Sequence, residues 1–168
     1  MDIKSSYNWL PQEQWRQVVD STYSSRRWSY TGHSNTPQAG KFWYCDLSHD
    51  EFFTKTLLER ICSDTGQDWD LIKVYANGQT FGLSGGLHQD VTGAETGVYY
   101  TFLYYANPMW EPEWGGNTVF SDGENLVVRY PAPNSVVLFD STIPHVGLEP
   151  TRHCADLRVT VAWKLQKT

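Results

Sequence analysis

The second half of the chain constrains the fold most, because from Asp70 onward it consists of short β-branched and aromatic runs separated by turn residues. Such runs are typical of antiparallel strands in a sandwich or barrel. Asn77-Gly78 is the strongest hairpin signal and predicts a turn after the first strand. We expect strands over residues 71–75, 97–106, 117–120, 126–130, 135–139 and 158–165, with turns at 121–124 and 131–134.

Two amphipathic helices are predicted before these strands. The first covers residues 11–23, with Pro11 at a position that suits proline. The second follows Ser48, whose spacing from Glu51 predicts a capping box, and ends near Gly66. Its apolar stripe comprises Phe53, Leu57, Leu58 and Ile61.

The predicted elements suggest a mainly β fold with flanking helices (α+β), in which the helices pack on one sheet of a closed or double-layered antiparallel structure. We expect one domain over residues 1–168, with helical support at about 1–66 and a β core at about 70–165. Residues 24–41 lack a periodic pattern, which fits either a mobile loop, and hence a candidate lid, or short irregular strands.

Composition narrows the partners. The formal net charge of −6 argues against nucleic acid or an anionic membrane as a partner. No run approaches the ~20 apolar residues of a membrane span, and the N-terminus lacks the apolar segment of a signal peptide. Three cysteines without a Cys-x-x-Cys pair indicate free thiols in a reducing compartment. We therefore expect a cytoplasmic protein.

His88 and Asp90 form the first candidate metal-binding pair. They lie two residues apart after the glycine-rich segment 82–87, and in an extended backbone they share one face. Joined by a distant second histidine, such a pair makes the 2-His-1-carboxylate triad of non-heme Fe(II) oxygenases. His145, which follows a predicted strand and a short loop, is the expected third ligand, and His153 in a polar turn is the weaker alternative.

Arg158 and Thr160 begin the last predicted strand and point to the same side of it. A guanidinium binds a carboxylate through two parallel hydrogen bonds, and a hydroxyl adds a third donor. The pair therefore predicts a site for a dicarboxylate co-substrate. The alternative is that Arg158 is a surface residue paired with a carboxylate elsewhere in the fold.

Taken in order, the motifs from residue 70 to residue 165 resemble the Fe(II)- and 2-oxoglutarate-dependent dioxygenases, and within them the prolyl-4-hydroxylase-like branch. The resemblance implies a double-stranded β-helix, or jelly roll. The matching segments are Lys73-Val-Tyr75, His88-Gln-Asp90, Phe102-Leu-Tyr-Tyr-Ala-Asn107, Trp114-Gly-Gly-Asn-Thr-Val-Phe120, Ser135-Val-Val-Leu-Phe139, Pro144-His145-Val146 and Arg158-Val-Thr-Val-Ala-Trp163.

The resemblance also implies a role for particular residues. Iron would be held by His88, Asp90 and His145, and 2-oxoglutarate would be bound by Arg158, Thr160, Tyr105 and Tyr75. Arg152 is closer to the family's usual spacing from the second histidine, but it falls in a turn, so Arg158 is preferred.

The implied reaction hydroxylates an unactivated C–H bond with O2 and 2-oxoglutarate, gives succinate and CO2, and has ascorbate as a candidate reductant. A prolyl residue in a peptide or protein is the first expected substrate. A free amino acid or another small molecule is the alternative. A non-catalytic jelly-roll module that binds a metal or ligand is a third interpretation.

Overall fold

The computed structural model describes residues 1–23, 25–34, 40–92 and 95–168. A π-helical turn, Phe52–Thr56, leads into the second helix, and Pro112–Trp114 forms a short 3-10 turn. Within the described ranges the elements are β1 (Ile3–Ser6), α1 (Gln12–Tyr23), β2 (Ser29–His33), β3 (Lys41–Asp46), α2 (Leu57–Thr65), β4 (Trp69–Gln79), β5 (Tyr99–Tyr105), β6 (Thr118–Ser121), β7 (Leu126–Arg129), β8 (Ser135–Asp140), β9 (His145–Gly147) and β10 (Arg158–Lys167).

The strands form two antiparallel sheets that confirm the predicted jelly roll. The large sheet has the order β1-β8-β5-β10-β4-β3-β2, and the small sheet has the order β7-β6-β9. An isolated bridge between His88 and His145 adds one more extended position beside β9. The two sheets face each other, and the residues between them form the candidate site described below.

The strand β5 shows how the sequence separates the core from the site. Its side chains alternate, as the predicted strand requires. Phe102 and Tyr104 pack against Trp9, with ring centroids 4.9 and 5.4 Å apart, on the side that the helices cover. Thr101 and Tyr105 are buried on the opposite side, where the small sheet lies. One face of this strand therefore supports the fold, while the other lines the interior between the sheets.

The helix near residue 50 forms, but its predicted capping box is wrong. The Ser48 hydroxyl donates to the Val74 carbonyl at 3.4 Å, and Glu51 pairs with Lys55 at 2.6 Å. Asp50 takes the capping role instead, because its carboxylate accepts a hydrogen bond from the Phe52 amide at 3.1 Å. Aspartate is as good an N-cap as serine, so the choice between neighbouring candidates depends on where the chain leaves β3.

The hairpin predicted at Asn77-Gly78 is also wrong, since β4 continues through both residues to Gln79. Gly78 lies opposite Val159 on one side and Trp43 on the other. A Cβ atom on Gly78 would lie 2.9 Å from a methyl carbon of Leu157. The glycine therefore permits a close approach within the sheet, and the turn comes later, where the Leu83 amide donates to the Thr80 carbonyl at 3.0 Å.

The segment 24–41 contains a strand, in agreement with the second of its two interpretations. β2 pairs with β3, which was not predicted, at the edge of the large sheet. Residues 24 and 35–39 lie outside the described residues, so the candidate lid stays a prediction. None of the helices in the described ranges is both long and apolar enough to cross a membrane, and the cytoplasmic location also stays a prediction.

Candidate metal centre

His88, Asp90 and His145 meet between the two sheets. One Asp90 oxygen, Oδ1, lies 3.4 Å from His88 Nε2, and the other, Oδ2, lies 3.6 Å from His145 Nε2. The potential ligand atoms of the three residues are all within 4.8 Å of one another. Metal–ligand distances of about 2.0–2.2 Å leave neighbouring ligand atoms roughly 3–4 Å apart, so this spacing fits one metal ion.

The backbone fixes both histidines. Their main chains exchange two hydrogen bonds, from the His88 amide to the His145 carbonyl at 3.0 Å and in the reverse direction at 2.8 Å. The Asp90 amide donates to the Ser141 carbonyl at 2.9 Å. These hydrogen bonds hold residues 88–90 next to residues 141–145, although the two segments are far apart in the sequence.

The ring nitrogens are oriented for metal binding. His88 Nδ1 lies 2.8 Å from the Gly86 carbonyl, and His145 Nδ1 lies 2.9 Å from the Ile143 carbonyl. A carbonyl can only accept, so each Nδ1 carries a proton, and each Nε2 faces Asp90. Metal-binding histidines commonly have such a carbonyl partner on the other ring nitrogen.

The protonation states also suit a cation. Burial by itself would raise the pKa of Asp90, but the Lys164 ammonium and the two imidazoles hold that pKa well below its usual range. Burial lowers the pKa of His145 to about 4. At neutral pH the centre therefore offers an ionised carboxylate and a neutral imidazole, the forms that bind a metal.

Two residues at this centre were missed by the sequence analysis. Lys164 and Thr101 both donate to Asp90 Oδ2, the hydroxyl at 2.6 Å. Lys164 belongs to the alternating series on β10 that begins with Arg158 and Thr160, and Thr101 belongs to the series on β5 that ends with Tyr105. Strand alternation, extended along each strand, contained the signal that would have identified them.

Arg158 is 2% exposed and lies in a narrow inner cavity that continues from the triad. Its guanidinium donates to the Gly116 carbonyl through Nε, to Gln79 Oε1 through Nη1 at 2.7 Å, and to Thr118 Oγ1 through Nη2 at 3.0 Å. Among the described residues, no carboxylate oxygen lies within 4 Å of it. A buried cation without an anion is unfavourable, so this cavity suits an anionic ligand.

The other residues expected around the co-substrate lie in this cavity or beside it. Thr160 is buried and lines the cavity. Tyr105 is buried beside it, and its hydroxyl donates to Oγ1 of the cavity residue Thr118 at 2.8 Å. Tyr75 lies between this cavity and a wider outer cleft, since it lines both. Arg152, the alternative to Arg158, is exposed and lies over the Phe81 ring at 5.4 Å, outside the cavity lining.

Gln79 and Thr118 organise this cavity and had not been predicted. While Gln79 Oε1 accepts from Arg158, its Nε2 donates to the Leu83 and Gly147 carbonyls, each at 2.9 Å. Leu83 belongs to the glycine-rich segment before His88, and Gly147 ends the strand that starts with His145. Gln79 therefore links the guanidinium to both histidine-bearing segments.

The outer cleft has a volume of about 500 Å³, within the usual range of roughly 300–1,000 Å³ for small-molecule sites. It reaches the triad at His88 and Asp90. Its walls carry aromatic and basic side chains, including Phe42, Tyr44, Lys73, Tyr99 and Lys164. The arrangement thus provides an inner anion site, a metal centre and an outer chamber in succession.

Known proteins resemble this chain in both sequence and fold. The sequence model of the 2OG-Fe(II) oxygenase superfamily matches residues 72–163. A prolyl hydroxylase from Trichoplax adhaerens, solved with a hypoxia inducible factor peptide, has a TM-score of 0.77 at 20% identity, covering 98% of this chain and 82% of that one. No curated protein shows significant sequence similarity to this chain.

Two further structures share the fold. A prolyl-4-hydroxylase from Pseudomonas putida has a TM-score of 0.67 at 16% identity, with coverage of 99% of this chain and 92% of that one. A non-heme alpha-ketoglutarate-dependent epimerase from nogalamycin biosynthesis has a TM-score of 0.72 at 12% identity, with coverage of 98% and 76%. At these identities the likeness concerns the fold alone.

Proposed function

The chain belongs to the 2OG-Fe(II) oxygenase superfamily, and on that premise we propose that it hydroxylates an unactivated C–H bond with Fe(II), 2-oxoglutarate and O2, releasing succinate and CO2. The observation that carries the proposal is the convergence of a complete metal-binding triad with a buried guanidinium that, among the described residues, has no carboxylate beside it. We further propose that residues 1–168 work as one oxygenase domain, in which residues 1–66 support the β core.

In this proposal, His88, Asp90 and His145 hold Fe(II) and leave three coordination positions for exogenous ligands. Bound iron would supply the activation of O2 that is coupled to decarboxylation of 2-oxoglutarate. The protein holds Nδ1 of each imidazole against a backbone carbonyl, which turns Nε2 toward the metal position, and it holds one Asp90 oxygen through Lys164 and Thr101. The ligand set is therefore oriented before the metal arrives.

Arg158 would bind the distal carboxylate of 2-oxoglutarate. A guanidinium has five N–H donors, and the hydrogen bonds to Gly116, Gln79 and Thr118 leave two of them available. Thr160 lines the same cavity and would add a polar contact, while Tyr105 would act through its hydrogen bond to Thr118. Because the surroundings are buried, a carboxylate paired here is shielded from water, which strengthens the interaction.

A prolyl ring is the first substrate to test, since two structurally similar proteins are prolyl hydroxylases and one was solved with a peptide. The ring belongs either to a peptide or protein or to a free amino acid. The basic side chains of the outer cleft, Lys73 and Lys164, favour a small molecule with a free carboxylate.

The competing interpretation is a jelly-roll module that binds a metal or ligand without oxygen chemistry. Such a module needs neither three free coordination positions nor a buried guanidinium next to the metal. The combination of these features in one continuous interior supports the enzyme.

An anaerobic titration tests the proposal. We expect a visible charge-transfer band only when both Fe(II) and 2-oxoglutarate are present, followed by slow succinate formation when O2 is admitted with ascorbate as reductant. His88→Ala should lose both signals, whereas His49→Ala, which changes an exposed histidine outside the centre, should keep them. A parent protein without the band and without succinate, or a fully active His88→Ala variant, would reject the oxygenase.

A further inference from the structure

Two lysines lie side by side on one wall of the outer cleft. Lys73 on β4 lies directly opposite Lys164 on β10 in the antiparallel register, and both line the cleft. Like charges at directly opposed positions destabilise a pair of strands. The large sheet therefore carries an electrostatic cost at this point, which an anion bound between or beside the two ammonium groups would offset.

Only one of these lysines is neutralised by the protein. Lys164 pairs with Asp90. The Lys73 ammonium lies over the rings of Tyr44 and Tyr75, at 5.0 and 5.1 Å from their centroids, and no described carboxylate oxygen is within 4 Å of it. Two aromatic faces hold an ammonium in place without cancelling its charge.

Asp46, a carboxyl group whose pKa Lys73 helps to lower, does not lie in the cleft. Asp46 is exposed at the end of β3, and its lowered pKa is caused chiefly by hydrogen bonds from Ser48, with Lys73 as a minor contribution. Asp46 is also absent from the residues that line the cleft. Within the described part of the chain, Lys73 is thus oriented toward the cleft and available to a ligand.

Loading the centre with Fe(II) and dianionic 2-oxoglutarate would leave the positive excess of this region in place, because the added charges cancel. With Fe(II) bound, Asp90 would be shared between the metal and Lys164. The positive charges of Fe(II), Arg158, Lys73 and Lys164 then outnumber the negative charges of Asp90 and dianionic 2-oxoglutarate. A neutral substrate would leave this excess uncompensated, whereas an anionic substrate would be attracted into the cleft.

We propose that the substrate is a small organic acid whose carboxylate binds to Lys73 in the outer cleft, so that a C–H bond elsewhere in the same molecule faces the metal centre. This inference rests on the proposed function and names its substrate class. It favours a free amino acid or a similar carboxylic acid over an internal peptide residue, because an internal residue has no free carboxylate. A single ammonium suits one carboxylate charge, whereas phosphate sites typically gather guanidinium forks or several amides.

The experiment compares each of the twenty free amino acids with its primary amide, and adds a prolyl peptide blocked at both ends. Succinate formation above the rate without substrate and a product mass gain of one oxygen are measured. We expect at least one acid, with L-proline the first to examine, to stimulate turnover at least tenfold more efficiently than its amide. The blocked peptide should not stimulate.

Lys73→Met tests the residue. We expect KM for the stimulating acid to rise at least tenfold relative to KM for its amide, so that the preference for the acid is lost. Lys73→Arg should restore the preference for the acid. Lys55→Met is the matched control, because Lys55 is an exposed lysine outside the outer cleft, paired with Glu51.

The possible failures are distinguishable. If the parent gives neither the charge-transfer band nor succinate, the proposed function itself fails. If the band and the basal succinate are present, then equal stimulation by acids and amides, stimulation by the blocked peptide alone, no stimulation by any acid, or an unchanged preference in Lys73→Met each overturns the inference.

Discussion

Lys164 and Asp90 form a largely buried ion pair in the candidate metal centre, and the contact uses the same carboxylate oxygen that Thr101 holds at 2.6 Å. Asp90 Oδ1, 3.4 Å from His88 Nε2, is left facing the position of the metal. Asp90 Oδ2 is therefore held by the protein, whereas Oδ1 is available to bind the metal. Among the described residues, Lys164 is the only lysine or arginine within 4 Å of Asp90. The pair therefore also contributes to the stability of the metal-free protein.

Replacing Lys164 by methionine should destabilise the metal-free protein by about 3 kcal/mol, because it leaves a buried carboxylate without its partner. A divalent metal would then supply the missing positive charge, so the rise in Tm on adding Co²⁺ should be larger in the variant than in the parent. Thermal unfolding with chelator and with Co²⁺ measures both effects. Lys55→Met, which removes an exposed partner of Glu51, should change the stability far less and leave the metal-dependent shift unchanged. A Lys164→Met variant that unfolds like the parent would contradict the role of the pair.

Arg158→Met should raise the dissociation constant of 2-oxoglutarate at least a hundredfold, since a bidentate, charge-assisted contact is lost. Titration of the Fe(II)-loaded protein with 2-oxoglutarate, followed by the charge-transfer band, measures this. Arg152→Met is the control, because Arg152 is the alternative from the sequence and lies outside the inner cavity. An equal loss of affinity in both variants, or a larger one in Arg152→Met, would show that the co-substrate site has been assigned wrongly.

Gly116→Ala should disturb the same site through the backbone. Gly116 has a φ of +70°, and a Cβ atom there would lie 2.9 Å from Arg158 Cδ. We expect a loss of stability of about 1–3 kcal/mol and weaker binding of 2-oxoglutarate. Gly123→Ala separates the two causes, because Gly123 has a φ of +94° but open space around its Cβ position. That variant should lose stability while its affinity for 2-oxoglutarate stays the same.

The metal-free protein should lose stability as the pH falls from 6.5 to about 4. Burial lowers the pKa of His145 from 6.5 to about 4, so the unfolded chain binds more protons than the folded chain in this interval. Stability then decreases as the pH decreases, by an amount that approaches about 3 kcal/mol when the folded pKa is reached. Urea unfolding across this range, with His145→Gln as the comparison, measures the contribution. Parallel pH profiles for the two proteins would show that His145 makes none.

Much of the fold and the centre could be predicted because both depend on local alternation. A strand over residues 97–106 was predicted, and Phe102 and Thr101 lie on opposite sides of it, as the period of two requires. The triad residues also come together as the ordered motifs indicate. These features need only the sequence of each strand and one long-range pairing.

The errors have long-range causes. Asn77-Gly78 has the sequence of a hairpin turn, but its conformation is set by pairing with β10 and β3 and by the close approach of Leu157. Gln79 was missed because two of its three hydrogen-bond partners, Gly147 and Arg158, lie far along the chain. Such contacts have no local signature, so they appear only when the sheets are brought together.

The bridge between His88 and His145 closes a long loop, since the two residues exchange main-chain hydrogen bonds across more than fifty intervening positions. Closing a long loop is entropically unfavourable and is compensated only when the contacts around it have formed. We therefore expect this bridge to form after the main folding barrier. A metal bound across it would then slow unfolding far more than it speeds folding, so the lifetime of the folded state would respond to metal supply while its rate of formation would not.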